Sequence, residues 1–206
     1  LLPLLCNSAA KFLKARLGDT MSQTIYAYIS DGGIQEEISQ GAGRLAGHLG
    51  LDNLIMFYDS NDIQLSTGTE AVTSEDVGMK YRAWGWEVIE IDGNDVNAIR
   101  KALDAAKAVA DKPTLIIGHT IMGKGARKAD NSNYENCCST HGAPLGGDAY
   151  INTVKNLGGD PADPFVIFPE VAAMYEARKQ ELRGIAADRR AKEKEWAEAN
   201  PVLAEK

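Results

Sequence analysis

Two side chains with oxygen donors follow two apolar runs of the sequence, each near the point where its run ends. Asp31 comes after the run 25–29 (IYAYI), and Asn61 follows a second run over residues 54–58 (LIMFY). A carboxylate and a carboxamide are ligands that suit a hard cation such as Mg2+, which completes its coordination with water and phosphate oxygens. The two positions therefore indicate a metal site that also holds a phosphorylated ligand.

The residues around these side chains form a strand, helix, strand pattern. Both apolar runs are rich in β-branched and aromatic residues, which predicts buried strands. Between them a helix that ends at Gly50 is expected from apolar and small residues at helical spacing. These residues are Ile38, Ala42, Leu45, Ala46 and Leu49. If a right-handed crossover joins the strands as parallel neighbours, their carboxyl ends share one edge of the sheet. We therefore expect Asp31 and Asn61 to lie side by side.

Gly32 and Gly33 follow Asp31 directly. Because they have no Cβ, they allow backbone N–H groups and the start of the next helix to approach a diphosphate closely. Asp-Gly-Gly and Asp-Ser-Asn-Asp are also ordinary turn sequences, so each of them taken singly fits a plain turn. The order of the parts along the chain favours a site for Mg2+ and a diphosphate.

Strand and helix patterns alternate through the rest of the chain. Strands are predicted over 86–91 and 114–120, and helices over 77–84 and 96–110. This alternation predicts an α/β fold with a three-layer, doubly wound, mostly parallel sheet and helices on both faces. A helix over 8–17 is expected to precede the first strand, with Ser8 as its N-cap.

Length, composition and charge limit the class of protein. The 206 residues suffice for one well-buried domain, and 44% hydrophobic with 25% charged residues is typical of a soluble globular protein. The formal net charge of −7 argues against binding to nucleic acid or to an anionic membrane. The three cysteines are too few for a disulfide framework, which favours a reducing compartment such as the cytoplasm. The adjacent Cys137 and Cys138 cannot easily bind one zinc ion together, and their roles stay open.

Both ends of the sequence suggest a piece of a longer protein. The chain begins with Leu1 rather than Met, and its first residues, LLPLLC, are too short for a membrane span. A lipoprotein-type signal that ends at Cys6 is an alternative, although Leu5 stands where a small residue is required. We expect one α/β domain over 1–168, truncated at its start, and a charged helix over 169–206 that leads to a missing interdomain linker.

The stretch from Asp31 to Ile63 resembles the thiamine diphosphate motif of the transketolase family, which begins Gly-Asp-Gly and ends in Asn-x-Ile. Ser30 replaces the leading glycine, and residues 65–68 (LSTG) replace the family's Asp-Gly with a loop one residue longer. The segments EDVGMKYRAWGWEVI, DGNDVNAIRKALDAAK and DKPTLI resemble consecutive blocks of the same family. The resemblance covers nearly the whole chain and implies the thiamine-diphosphate-binding fold.

The resemblance implies metal and diphosphate ligands residue by residue. Asp31 and Asn61 match the family's metal ligands, and Ile63 matches the position whose backbone carbonyl is a further ligand. Gly32 matches the glycine that touches the diphosphate. The implied cofactors are thiamine diphosphate and Mg2+, with Ca2+ or Mn2+ able to replace the latter.

Further roles follow from the same resemblance. Leu65 and Ile121 match positions that wall the thiazolium ring, although they also fit plain core residues. Glu36 matches an acidic residue in a carboxylate and water chain between two cofactors, and it equally fits a first-turn residue stabilised by the helix dipole. His141 opens the block HGAPL and matches a histidine beside the diphosphate and the substrate, where it donates hydrogen bonds to developing oxyanions.

The loop that precedes His141 is locally basic. It carries His119, Lys124, Arg127 and Lys128. These side chains either meet phosphate at the sheet edge or are simply solvated. His48, at the far end of its helix, is interpreted as structural.

The resemblance implies a transketolase, which transfers a two-carbon glycolaldehyde unit from a ketose phosphate to an aldose phosphate. Its implied partners are sugar phosphates and the pyrimidine-binding domain of a second subunit in a homodimer. We expect the 206 residues alone to be inactive, since that domain is absent. The exact pair of sugars stays open.

Other classes of protein remain as alternatives. The chain could be a non-catalytic, cofactor-binding subunit of a split transketolase, or part of a related thiamine enzyme such as a deoxyxylulose-phosphate synthase. A nicotinamide-binding Rossmann domain is disfavoured, because Ser30-Asp31-Gly32-Gly33 lacks the Gly-x-Gly-x-x-Gly spacing.

Overall fold

The computed structural model describes residues 2–205, without the side chains of Leu2, Pro3 and Met21. Within that range the chain forms four β-strands and eight α-helices. The strands are β1 (Ile25–Ser30), β2 (Leu54–Ser60), β3 (Glu87–Asp92) and β4 (Thr114–His119). The helices are α1 (Leu2–Leu17), α2 (Asp31–Gln35), α3 (Glu37–His48), α4 (Val77–Ala83), α5 (Val96–Ala108), α6 (Gly147–Asn156), α7 (Pro169–Ala199) and α8 (Pro201–Ala204).

The four strands form one parallel sheet in the order β1-β2-β4-β3. The last strand in the chain, β4, therefore lies between β2 and β3. Register pairs Ser30 with Asp59 and Ser60 with His119, so the carboxyl ends of the neighbouring strands meet at one edge. We call this edge the carboxyl rim. The predicted parallel arrangement is confirmed.

Two apolar clusters cover the two faces of the sheet, as the strand periodicity requires. Leu54, Tyr58 and Leu115 belong to one cluster, which also includes side chains of α1, α2, α3 and α4. Ile55 and Ile116, the alternate residues of the same strands, pack with α5 in the other cluster. Right-handed crossovers explain the division, because the chain moves across the sheet in one direction from β1 to β3 and returns from β3 to β4. The predicted three-layer α/β architecture is confirmed.

The first strand is only half buried, which corrects the prediction of a buried strand over 25–29. Ile25, Ala27 and Ile29 pack against the first cluster, whereas Tyr26 and Tyr28 are 56% and 69% exposed. The reason is position, since β1 is an edge strand and α5 packs on β3 and β4 instead.

The helix between β1 and β2 also differs from the prediction. Glu36 has an extended backbone (φ −63°, ψ 130°) and separates the short α2 from α3. Of the predicted apolar positions, Ala46 is buried and Ala42 packs against the first cluster, whereas the larger Ile38, Leu45 and Leu49 are exposed. The helix also buries Gly43. Small side chains let α3 approach Tyr81 of α4 closely, together with Trp84 and Trp86 of the connection to β3.

The first helix begins earlier than predicted. It starts at Leu2 rather than at Ser8, because Leu4 is buried in the first cluster and extends the helix's apolar contact by a turn. At the other end of the chain, α7 confirms the predicted long helix after residue 168. None of its residues is buried. The indole Nε1 of Trp196 donates a hydrogen bond of 2.9 Å to the carbonyl of Leu17. The division into a domain over 1–168 and a separate helix stays a prediction.

No helix in the described part of the chain combines the length and the apolar character needed to cross a bilayer.

Tyr81 provides a pH-dependent contribution to stability. Its side chain is fully buried between Trp84 and Trp86, its hydroxyl has no hydrogen-bond partner among residues 2–205, and burial raises its pKa to about 12. In the unfolded chain the pKa is near 10, so folding favours the protonated hydroxyl and this contribution is complete below pH 10. We expect it to be lost between pH 10 and pH 12, by about 2–3 kcal/mol in total. Urea unfolding over that range should fall less steeply in Tyr81→Phe than in the parent, and equal slopes would contradict this account.

Candidate functional site

Asp31 lies at the carboxyl rim, directly after β1 and at the start of α2. Its side chain is buried, with 2% of the residue exposed, and both carboxylate oxygens accept hydrogen bonds from the neighbouring strand and its loop. The Tyr58 hydroxyl donates to Oδ1 at 2.5 Å, and the Asn61 backbone N–H donates to Oδ2 at 3.0 Å. The two residues that the sequence predicted to converge are therefore in direct contact.

Tyr58 was not among the predicted site residues. It lies within β2, its side chain is buried, and its pKa is raised by burial first and then by the hydrogen bond to Asp31. A hydrogen bond with the Ser60 side chain lowers the pKa of Tyr58 but offsets only part of this increase. The hydroxyl therefore stays protonated and serves as a donor to the carboxylate throughout the physiological pH range.

The loop after β2 holds Asn61 and Ile63 in a fixed turn. Asn61 Oδ1 accepts a hydrogen bond of 3.1 Å from the Ile63 backbone N–H, and Asp62 has the left-handed φ of 61°. The Thr69 N–H donates to the Asp62 carbonyl at 3.0 Å and closes the loop. The loop's own hydrogen bonds thus hold the Asn61 carboxamide against the Ile63 backbone, while the Asn61 backbone N–H contacts Asp31.

Gly32 belongs to the first turn of α2, which corrects the expectation of a glycine loop between strand and helix. A Cβ built on Gly32 would meet no other atom within 4 Å, so open space lies beside this backbone segment. Gly33 has a packing role instead, because a Cβ there would lie 2.9 Å from Ile29 Cγ1.

Leu65 and His141 lie near each other although they are far apart in sequence. Leu65, at the tip of the 61–69 loop, is 70% exposed, and its Cδ1 lies 3.8 Å from the place of a Cβ on Gly142. His141 is exposed, and its backbone N–H donates to the Cys138 carbonyl at 3.0 Å. The structure therefore brings the loop after β2 and the HGAPL block together.

Ile121 follows β4 and is also close to the rim. The adjacent Thr120 donates its backbone N–H to the Ser60 carbonyl at 2.9 Å, and its hydroxyl bonds to the Asp59 carboxylate. Asp59 also accepts a hydrogen bond of 2.5 Å from the Tyr28 hydroxyl. This second network, which sequence reasoning missed, connects the ends of β1, β2 and β4.

Glu36 stands apart from these contacts. It lies exposed at the break between α2 and α3, and its carboxylate makes no hydrogen bond or ion pair to any residue in the range 2–205. The geometry gives it no role within this chain beyond the start of α3.

Two basic side chains of the loop before His141 contact other residues of the chain. Arg127 Nη2 donates to Asn156 Oδ1 at 3.2 Å, and Lys128 Nζ lies 5.6 Å from the centre of the Tyr134 ring. Lys124 is exposed and lines a groove with His119 and Ile121. Of Lys124, Arg127 and Lys128, Lys124 is therefore the one left available to an anion at the rim.

The surroundings of the rim are otherwise acidic. A cavity of about 590 Å3 opens beside Tyr58 and Ser60. Its lining includes Asp62, Glu70, Glu75, Asp76 and Glu90. Lys80, also in the lining, forms an ion pair with Glu75 and is therefore largely neutralised. A diphosphate next to this surface requires a bound cation or basic groups to offset the repulsion.

The donor set fits Mg2+ but does not form a complete cage. Within residues 2–205 no group of three or more His, Cys, Asp or Glu side chains could hold an ion by itself. The rim offers instead the buried Asp31 carboxylate and the Asn61 carboxamide, with open space for ligand oxygens beside Gly32. Mg2+ is commonly bound in this manner, by one or two carboxylates together with substrate phosphates.

Comparison with known proteins gives consistent matches. The family described as "Transketolase, thiamine diphosphate binding domain" matches residues 6–206. A transketolase of Nostoc sp. is 43% identical over 180 residues, which cover 85% of this chain and 25% of that protein. Transketolase 1 of Escherichia coli is 38% identical over 162 residues, covering 78% of this chain and 24% of that protein. The chain thus spans about a quarter of the length of the curated relatives that it matches.

Solved structures show the same similarity in three dimensions. A transketolase of Pichia stipitis in complex with sedoheptulose-7-phosphate superposes with a TM-score of 0.85 and 32% identity, covering 98% of this chain and 30% of that chain. A transketolase of Campylobacter jejuni gives a TM-score of 0.72 and 34% identity, covering 87% and 29% of the two chains.

Proposed function

The chain belongs to the transketolase family, as its thiamine diphosphate binding domain, and from that membership we propose that the carboxyl rim holds Mg2+ and the diphosphate of thiamine diphosphate. The observation that supports this proposal most directly is the hydrogen bond from the Asn61 backbone N–H to the Asp31 carboxylate, because it brings these two residues together at the rim. The acidic surroundings add to it, since a diphosphate beside them needs a cation.

The proposal assigns a role to four residues of the rim. The Asp31 carboxylate, the Asn61 carboxamide and the Ile63 backbone carbonyl supply oxygen ligands to the cation. Gly32 leaves room for a diphosphate oxygen to approach the backbone. Two negative charges on adjacent phosphates are thereby held by a cation that the protein anchors through one buried carboxylate.

Leu65, Ile121 and His141 surround the space next to the rim. Leu65 and Ile121 provide exposed apolar surface against which a heteroaromatic ring packs and from which water is excluded. His141, beside the Leu65 loop, donates a hydrogen bond to a substrate oxygen that gains negative charge. Thiamine diphosphate, when bound, supplies the carbon nucleophile and the electron sink of the reaction.

For Glu36 we propose a contact to a second subunit, because this residue is exposed to solvent.

The proposed reaction of the whole protein is transfer of a two-carbon glycolaldehyde unit from a ketose phosphate to an aldose phosphate. It is supported by the relatives named transketolase and by the relative solved with sedoheptulose-7-phosphate. Because this chain corresponds to about a quarter of such proteins, the pyrimidine-binding domain of a second subunit is proposed to complete the site. A homodimer in the cytoplasm is part of the same proposal.

Calorimetric titration with thiamine diphosphate tests the cofactor site. We expect heat of binding in the presence of Mg2+ and little or none with a chelator, because the acidic surroundings repel a free diphosphate. Asn61→Ala is expected to weaken binding about 10-fold or more, since it removes a ligand and the turn that places Ile63. Asn97→Ala, an exposed amide on α5, is the matched control and should bind as the parent does. Binding that is equal with and without Mg2+ would overturn the proposal.

A further inference from the structure

We propose that Tyr58 is a positioning residue for the metal site, whose hydroxyl holds the Asp31 carboxylate in the orientation that a divalent cation requires. This inference rests on the proposed function of the rim. It adds a residue of β2 to a site that otherwise consists of residues after the strand ends.

The geometry places two donors on one buried carboxylate. Oδ1 accepts from the Tyr58 hydroxyl at 2.5 Å, and Oδ2 accepts from the Asn61 N–H at 3.0 Å. Both donors come from β2 and the residue that follows it, so the orientation of the carboxylate is set by the strand next to its own. Without the Tyr58 hydroxyl, only the Asn61 N–H would remain as a hydrogen-bond donor to the carboxylate.

Burial explains why the second donor matters. With 2% of the residue exposed, Asp31 has almost no contact with water, and an ionised carboxylate in such surroundings needs hydrogen bonds. A carboxylate has about four lone-pair positions. The two donors occupy two of them, and the remaining positions are available to a cation at the rim.

The core around Tyr58 does not itself require a hydroxyl. The neighbouring cluster residues are mostly aliphatic and aromatic, and Tyr81 in the same cluster has a buried hydroxyl without a partner in the described residues. Tyr81 therefore offers a matched control, because Tyr81→Phe removes a buried hydroxyl from the same core without touching Asp31. A difference between the two variants reports on the contact to Asp31 rather than on loss of a hydroxyl as such.

The test is calorimetric titration of Mg2+ into the full chain at saturating thiamine diphosphate. We expect Tyr58→Phe to weaken Mg2+ binding by about 10-fold to 100-fold, as is usual for partners that orient a metal ligand. Tyr81→Phe should bind Mg2+ as the parent does. Urea unfolding without Mg2+ and cofactor, measured in parallel, shows how much each hydroxyl contributes to the fold alone.

The outcomes separate this inference from the function on which it rests. If the parent binds Mg2+ and Tyr58→Phe binds it with the same affinity, the proposed role of Tyr58 is wrong and the proposed function is unaffected. Equal losses of Mg2+ affinity in Tyr58→Phe and Tyr81→Phe also overturn that role, because they indicate a general effect on the core. No binding by the parent overturns both. If Tyr58→Phe does not fold, p-fluorophenylalanine at position 58 fills the place of the hydroxyl without a hydrogen-bond donor, and the same weakening of Mg2+ binding is expected.

Discussion

Gly47→Ala is expected to lower the free energy of unfolding by about 2–4 kcal/mol, measured by urea denaturation. A Cβ on Gly47 would lie 1.9 Å from the Trp84 carbonyl oxygen and 3.0 Å from Trp86 Cδ1. The first of these atoms belongs to the backbone and cannot rotate away. The end of α3 would have to move off the connection between α4 and β3, which would also strain the hydrogen bond of 2.8 Å from Trp86 Nε1 to the Gly43 carbonyl.

Gly41→Ala is the matched control, since Gly41 lies in the same helix and a Cβ there would meet no atom within 4 Å. It should be neutral or stabilising by about 0.5–1 kcal/mol, because alanine loses less conformational entropy than glycine on helix formation. Similar losses of stability in both variants would contradict close contact as the cause.

Asp31→Ala is expected to reduce Mg2+-dependent binding of thiamine diphosphate about 100-fold or more, which corresponds to about 3 kcal/mol. The substitution removes the proposed carboxylate ligand and leaves two donors, the Tyr58 hydroxyl and the Asn61 N–H, without their acceptor. We therefore also expect the free energy of unfolding to fall by about 1–3 kcal/mol without ligand. Calorimetry and urea denaturation of the same preparations measure the two effects separately.

Asp62→Asn serves as the control for charge. It removes one negative charge from the same rim, and asparagine tolerates the left-handed φ of 61° at this position. Its affinity for Mg2+ and the cofactor should stay within about twofold of the parent's, because a screened surface charge contributes little. A loss of affinity as large as that of Asp31→Ala would show that the negative electrostatic potential of the rim, and not a specific metal ligand, determines binding.

The elements and their approximate bounds could be predicted because strand runs and helical spacing are local patterns. The meeting of Asp31 and Asn61 also followed from the sequence, since parallel neighbours joined by a right-handed crossover must end at the same edge. The half-exposed β1 could not be predicted, because an edge strand and a central strand have the same apolar run. Which tyrosines of IYAYI would be covered depends on where α5 packs, and that is decided by residues far along the chain.

The contact between Tyr58 and Asp31 lies outside sequence reasoning for a similar reason. Within LIMFY the tyrosine is one more apolar position, and only the register of β1 against β2 brings its hydroxyl to the carboxylate. The packed face of α3 was predicted only in part, since Ala42 and Ala46 lie on it whereas Ile38, Leu45 and Leu49 do not. Close approach to Trp84 and Trp86 selects the smallest side chains instead.

The central position of β4 has a consequence for the order in which the molecule can be assembled. During synthesis β2 and β3 both emerge before β4, and neither can pair along the side that β4 will occupy. Until residues 114–119 leave the ribosome, β2 and β3 are without their shared neighbour, and their unpaired backbone edges are prone to association with other chains. Formation of the sheet is therefore a late, cooperative event in which β4 pairs with both of its neighbours at once.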